Sequence, residues 1–384
     1  MNNVLVTYEE MNNTTEVNIY SLSRMFELLK LKYKIKKVTL VNAQDIEWAG
    51  ICIGIRPNSP TSCFLSSMIR RYKKIYVTLL DDDIIKLPQQ HPDSWRAKYS
   101  KVCIKNCNYI ISPNPKLLSD YCSGTAIPVL CNAHIQPSEL KIKHQIPERI
   151  RIIYPAGRDH LRIFDKLVLG AYNDICIKYP GKFEITFVGV HPDIDNFYDR
   201  SSVNYVEAMP YDEYLHFMNT HDFDVGIAPL ESNEFTARKY FVKYIEYAKY
   251  AIAGIYSNTM PYTFAVNDGV NGTLVDSSCR DWFNAFEKCI LDREYINNII
   301  KISQIDLLNN YSLKSVSEKL LVQIPELHCN PTNIYKVKYK RPYIKETYAK
   351  LKSICHKLSF HYKEDGFSYF FTYLIRKYHE QLSR

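Results

Sequence analysis

Apolar residues recur along this chain in two alternating rhythms. Within residues 1 to about 135, the short runs NVLVTY, KKVTLV, AGICIGI, KIYVTLL, NYIIS and TAIPVL read as buried strands. Between them NIYSLSRMFELLKL, SCFLSSMIRRYKK, SWRAKYSKVCIKNC and PKLLSDYC carry the wider spacing of helices. A polar stretch from His134 to Arg149 predicts a linker, and then the alternation restarts. IRIIYPAG, FEITFVGV, VNYVEAM, FDVGIAPL, AIAGIYS and GTLVD read as strands. IFDKLVLGAYNDICIKY, YDEYLHFMNT, RKYFVKYIEYAKY and WFNAFEKCILD read as the helices that separate them, and helical patterning continues to about Gln323. Strand and helix in strict alternation imply parallel sheets covered on both faces. The expected fold class is therefore α/β, with two doubly wound Rossmann-like domains at residues 1–140 and 149–325. Residues 326–384 are expected to form a basic, aromatic-rich helical tail. The carboxyl ends of two such sheets are expected to face a cleft, because open α/β folds bind ligands there.

Composition changes this picture little. With 384 residues, 46% hydrophobic and 23% charged, the chain is long enough for two globular cores. No basic stretch followed by an apolar run opens it, and no run of about 18 uncharged apolar residues occurs, so neither a signal peptide nor a spanning helix is expected. Its 11 cysteines are scattered. The pair Cys103 and Cys107 lacks a second pair at zinc spacing, so reduced cytoplasmic thiols are expected.

Charge is more informative. Residues 331–384 hold 12 Lys and Arg against 4 Asp and Glu, so the whole net charge of +8 lies in the tail and the body balances. Three readings of the tail stand: packing back on the first domain, peripheral docking on the anionic inner face of the cell membrane, or nucleic-acid binding. No nucleic-acid module accompanies the charge, which disfavours the last.

Candidate chemistry centres on DVGIAPLESNEFTARKYFVKYIEYAKY, Asp224 to Tyr250. If a helix begins near Arg238, Lys239, Lys243 and Glu246 share one face and Phe241, Val242, Ile245 and Ala248 the other. A solvated charged face is the plain reading. The alternative is a ligand, because cations at a helix start oppose the macrodipole unless an anion sits among them. Lys239 and Glu246 would stand about 10 Å apart along the axis, roughly the reach from a diphosphate to a ribose. A carboxylate there accepts hydrogen bonds from two ribose hydroxyls. The segment EEMNNTTEVN after the first strand has no glycine pair, which argues against a P-loop or dinucleotide fingerprint.

This stretch, followed by PYTFAVNDGVNGTLVD and DWFNAFEKCILD, resembles the donor half of GT-B glycosyltransferases, in particular the retaining family-4 group. The resemblance covers about Arg149 to Leu321 and, more loosely, the first domain through VTLLDDDIIKLP and NYIISPNPKLLSDYC. It implies a nucleoside-diphosphate sugar as donor substrate, a glycan or lipid-linked acceptor, and no cofactor or metal. By position, Glu246 is similar to the glutamate that holds the donor ribose, with Lys243 and Lys239 on the diphosphate. Arg158, after IIYPAG, is similar to the family's first diphosphate contact. The family's other glutamate has no counterpart eight residues before Glu246, where Arg238 stands; Glu234 is the nearest acid and a catalytic candidate. His91, in LPQQHPDSW, is a candidate base on the acceptor side, weighed against an ordinary exposed loop histidine. Asp81, Asp82 and Asp83 form an Asp-x-Asp, expected to cap a helix or face the acceptor rather than hold metal. A sugar-nucleotide epimerase and a non-catalytic scaffold of the same fold are the alternatives.

Overall fold

In the computed structural model the described residues are 3–89, 91–122, 126–130, 140–142, 147–328 and 338–382; the side chains of residues 13, 128, 130, 158, 159, 361 and 364–382 lie outside the description. The expected linker at 134–149 falls largely outside the described residues. The chain forms two compact units, one of residues 1–11, 30–130 and 323–384, the other of residues 12–29 and 131–322.

The first unit is built on a six-stranded sheet in the order β2-β1-β3-β4-β5-β6. Its strands are β1 (Val4–Tyr8), β2 (Tyr33–Lys37), β3 (Ile51–Ile55), β4 (Ile75–Leu79), β5 (Tyr109–Ser112) and β6 (Ile127–Leu130), all paired parallel. Between them run α1 (Asn13–Leu28), which groups with the second unit, then α2 (Ala43–Trp48), α3 (Pro60–Arg71), α4 (Ala97–Asn106) and α5 (Pro115–Tyr121). Leu5, Cys52, Leu65, Ile69, Tyr76 and Ile110 meet in one buried core. Two local expectations need correction. KKVTLV is not the second strand: YKIKK pairs with β1, and Val38–Leu40 turns into a 3-10 helix. An edge strand alternates and carries lysines, so the β-branched run beside it misleads. AQDIEW, absent from the expected helices, is a short helix opened by a reciprocal capping box of Asn42 and Asp45.

The second unit repeats the theme in the order β12-β11-β10-β7-β8-β9. These strands are β7 (Ile150–Pro155), β8 (Phe183–Val188), β9 (Val203–Val206), β10 (Val225–Ala228), β11 (Ala253–Ser257) and β12 (Thr273–Val275), again all parallel. Its helices are α6 (Arg158–Leu167), α7 (Leu169–Lys178), α8 (Tyr211–Thr220), α9 (Val242–Lys249), α10 (Tyr262–Ala265), α11 (Cys279–Leu291), α12 (Arg293–Tyr311) and α13 (Leu313–Gln323). Both sheet faces are buried: Ile152, Phe187, Ile227 and Trp282 join one cluster, Ile153, Tyr244, Tyr247 and Tyr256 the other. At the foot of the sheet the buried Asp224 takes two bonds from the Arg151 guanidinium, at 3.0 and 3.1 Å, and one from the Arg151 N–H at 2.8 Å.

From Gln323 the chain belongs to the first unit again, and its last helix is α14 (Tyr343–Leu382). Tyr339 packs on Phe64 with ring centroids 5.4 Å apart, and buried Glu346 accepts a hydrogen bond from the Thr61 hydroxyl at 2.8 Å. The first turns of the tail are thus part of that unit's packing. No helix among the described residues is long and apolar enough to cross a membrane.

Candidate functional site

Strand order locates the site in the second unit. From β7 the chain steps outward through β8 and β9 on one side and, after a return, through β10, β11 and β12 on the other. In open α/β sheets ligands bind where the order reverses, at the strands' carboxyl ends, which here directs attention to the loops leaving β7 and β10. The β7 loop is Ala156-Gly157, then α6, whose N-cap Gly157 has no side chain to satisfy the first-turn N–H groups. The β10 loop runs from Pro229 to Phe241. Two contacts bring these loops together: Lys239 Nζ lies 3.2 Å from His160 Nε2, and Lys166 Nζ lies 2.7 Å from Glu231 Oε1. Because an ammonium only donates, His160 accepts through Nε2.

The β10 loop differs from the expected continuous helix. Thr236–Arg238 forms a 3-10 turn, Lys239 is extended with φ −70° and ψ 161°, and α9 starts only at Val242. Arg238, which stands where the family's other glutamate would, is 2% exposed and its guanidinium pairs with Glu234 Oε2 at 2.7 Å. The Glu234 carboxylate, itself exposed, is engaged by that pair.

Lys243 and Glu246 do not form a freely solvated face. Their side chains are only 25% and 19% exposed, and Nζ meets Oε2 at 2.7 Å. Lys243 also sits over the Tyr214 ring, 5.9 Å from its centroid. Burial, and then the negative charge of Glu246, pushes the Tyr214 phenol well above its ordinary range. The same carboxylate adds to the upward push of burial on Tyr256 and Tyr262. A half-buried carboxylate paired with one lysine keeps further lone pairs that can accept from a polar ligand.

What fixes α9 is aromatic packing. Gly226 in β10 leaves room for the Tyr247 ring, whose hydroxyl donates to the Ile227 carbonyl at 2.7 Å. Tyr244 donates to Asp306 on α12 and receives a bond from buried Asn271 Nδ2 at 2.9 Å. Asn271 also bonds the Ala265 carbonyl at 3.1 Å and accepts from the Asn267 N–H at 2.7 Å. The Asn271-Gly272 pair thus anchors the loop before β12 to α9.

The first unit has its own reversal point, between β1 and β3. Glu9, just past β1, accepts from the Asn58 N–H at 2.9 Å and from the Ser62 hydroxyl, and burial raises its carboxyl above the ordinary 4.5. With Glu10, Asn58, Trp95, Arg96 and Lys350 it borders a pocket of about 60 Å³. Arg56, at the end of β3, adopts φ +45° and binds Asp81 and, at 3.0 Å, Asp82. Asp83 caps the Ile85 and Lys86 N–H groups and accepts from Tyr121 at 2.6 Å. The Asp triplet is therefore engaged in ion pairing and turn capping.

Comparison with solved structures fits this architecture. The chain superposes on Anabaena HepE in complex with UDP and glucose with a TM-score of 0.60, at 9% identity, over 85% of this chain and 100% of that one. A glycosyltransferase from Rickettsia africae gives 0.56 at 14% identity, over 86% and 99%. A protein assigned as a UDP-N-acetylglucosamine 2-epimerase from Listeria monocytogenes gives 0.52 at 9% identity, over 87% and 99%. The chain has the GT-B fold. By sequence, no protein-family model and no curated protein matches it.

Within this GT-B chain the sequence-predicted residues fall into separate groups. Lys239 and Glu234 lie in the β10 loop of the second unit, and Lys243 and Glu246 pair with each other on α9, which follows it. Arg158 opens α6 on the β7 side, its side chain outside the description. His91 belongs to the first unit, on an exposed turn where Nδ1 accepts the Asp93 N–H at 3.1 Å. Sequence reasoning missed His160, Tyr214 and Glu9. His160 and Tyr214 gain their meaning from partners 79 and 32 positions away, whereas Glu9 was legible as an acid directly after a first strand.

Proposed function

We propose that this protein is a glycosyltransferase that moves a sugar from a uridine-diphosphate sugar to a glycan or lipid-linked acceptor of surface polysaccharide synthesis. The carrying observation is the meeting of the two loops at the reversal point of the second unit, where Lys239 faces His160 beside the uncapped start of α6. In this reading residues 149–325 form the donor domain and residues 1–140 receive the acceptor. Lys239, Lys243 and Arg158 neutralise the diphosphate without a metal or other cofactor, and Glu246 holds the ribose hydroxyls. Transfer with retention needs no strong nucleophile from the protein; positioning and neutralisation of the leaving diphosphate supply most of the rate. Glu234 reaches the sugar on leaving Arg238, and His91 or Glu9 takes the acceptor proton. Cytoplasmic location fits such a donor. The occurrence of UDP in the HepE complexes supports uridine as the base.

A second reading, a sugar-nucleotide epimerase, is favoured by the fold likeness to the Listeria protein. Incubation with a panel of uridine-diphosphate sugars, with and without glycan acceptors, separates the two by the products released. Acceptor-dependent UDP release supports transfer; an acceptor-independent change of the sugar nucleotide supports epimerisation. No turnover with any donor, together with UDP binding, leaves the non-catalytic scaffold.

A further inference from the structure

The candidate donor site leaves one surface unexplained, the outward face of α14. The inward face is built into the first unit: Glu346, Ala349 and Ser353 are buried, Arg96 donates to the Ser353 hydroxyl at 2.8 Å, and His356 stacks on Trp95 at 6.3 Å. At about 100° per residue, Ile344, Tyr348, Leu351, Cys355 and Tyr362 fall within about 60° of one another on the opposite side. Ile344 is 88% exposed, Tyr348 64% and Leu351 58%. A helix held on the body by polar and small residues, with its large apolar residues turned outward, inverts the usual arrangement.

Charge names what covers that face. Through Lys363, α14 carries Lys345, Lys350, Lys352, Lys357 and Lys363 against one acid, the buried Glu346, which is already paired with Lys350 at 2.7 Å and Arg341 at 3.3 Å. Lys345, Lys352 and Lys363 form a row along one border of the apolar stripe, and Lys350 and Lys357 lie beyond its other border. An apolar and tyrosine stripe flanked by lysines, on a helix fixed flat against a folded body, has the chemistry of an interfacial membrane helix.

We propose that the outward face of α14, centred on Ile344, Tyr348 and Leu351, docks parallel to an anionic phospholipid surface. The apolar side chains enter the interfacial layer and the lysines meet the lipid phosphates. Docking is independent of the transfer reading, because no residue of the stripe belongs to the donor site. It makes α14 both a wall of the first unit and a membrane contact, so truncation is an unsuitable test.

The full chain should co-sediment with vesicles of phosphatidylglycerol mixed with phosphatidylcholine, and not with phosphatidylcholine alone. Salt at about 1 M, where the screening length is about 3 Å, should release most of it. Ile344→Glu with Leu351→Glu, at exposed positions, should lower partitioning by about tenfold or more with an unchanged melting temperature. Lys345→Gln with Lys352→Gln should weaken it without abolishing it. Equal binding of the Glu variant and the parent, or equal binding to neutral and anionic vesicles, overturns the proposal. So does absence of vesicle binding together with a dimer that the Glu variant dissolves, which assigns the stripe to a second copy of the chain.

Discussion

Replacing Glu246 by glutamine tests the donor grip with the least change in shape. In the structure the carboxylate is 19% exposed and bonds Lys243 at 2.7 Å, so the amide fits the same space. A carboxylate accepting two ribose hydroxyls makes charge-assisted bonds of about 1.5–3 kcal/mol each, whereas neutral ones contribute about 0.5–1.5. The amide keeps one acceptor oxygen and loses the charge, a loss of about 2–3 kcal/mol. Against this, Lys243 is released from Glu246 toward the diphosphate, a partly exposed pair being worth about 0.2–1 kcal/mol. The net of about 2 kcal/mol corresponds to roughly thirtyfold weaker UDP binding. Isothermal titration of parent and Glu246→Gln with UDP and with 2′,3′-dideoxy-UDP closes a cycle that isolates the carboxylate–ribose contact. The parent should lose affinity for the dideoxy ligand and the variant should barely distinguish the two. Variant binding within twofold of the parent, or equal dideoxy losses in both proteins, would refute the role given to Glu246.

Two further outcomes follow from packing and from charge. Gly226→Ala places a Cβ 2.7 Å from three atoms of the buried Tyr247 ring, so α9 must shift; urea titration should show the second unit destabilised by about 1–3 kcal/mol, and an unchanged midpoint would contradict this packing. Glu9 has a carboxyl raised above 4.5 by burial, so its protonated form is favoured in the fold. The stability it adds is present below its unfolded value and lost as pH rises through the folded one, so the stability of the parent relative to Glu9→Gln should fall as pH rises above the ordinary 4.5. A difference independent of pH, followed by denaturation at each pH, would remove Glu9 from the buried titrating groups.

Much of the fold was legible because several strands are buried on both faces and therefore read as unbroken apolar runs, as in AGICIGI and AIAGIYS. Legibility failed where burial is one-sided or bonding is local. The lysine-rich edge strand β2 was hidden by the β-branched run after it, and the capping box of Asn42 and Asp45 was passed over. In the candidate site, helical periodicity from Arg238 to Tyr250 was real but not continuous. Phe241 sits at φ −79° and ψ 36°, outside the helical region, and sets Lys239 apart from the helix that carries Lys243 and Glu246. Arg238, the third cation of this stretch, is buried and paired with Glu234, which its closeness in sequence to Lys239 and Lys243 could not reveal. No periodicity could report His160 beside Lys239 or Tyr214 beside Glu246, since both contacts arise only when separate strands and helices converge.

The central claim is that a nucleoside diphosphate occupies the reversal point of the second unit. Photolabelling with 5-azido-UDP followed by peptide mapping tests it directly. The account predicts label in the peptides spanning 156–166 and 229–247, competed away by UDP and reduced by Lys239→Ala with Lys243→Ala. Label confined to other peptides, or label in these peptides that UDP does not displace, would contradict it.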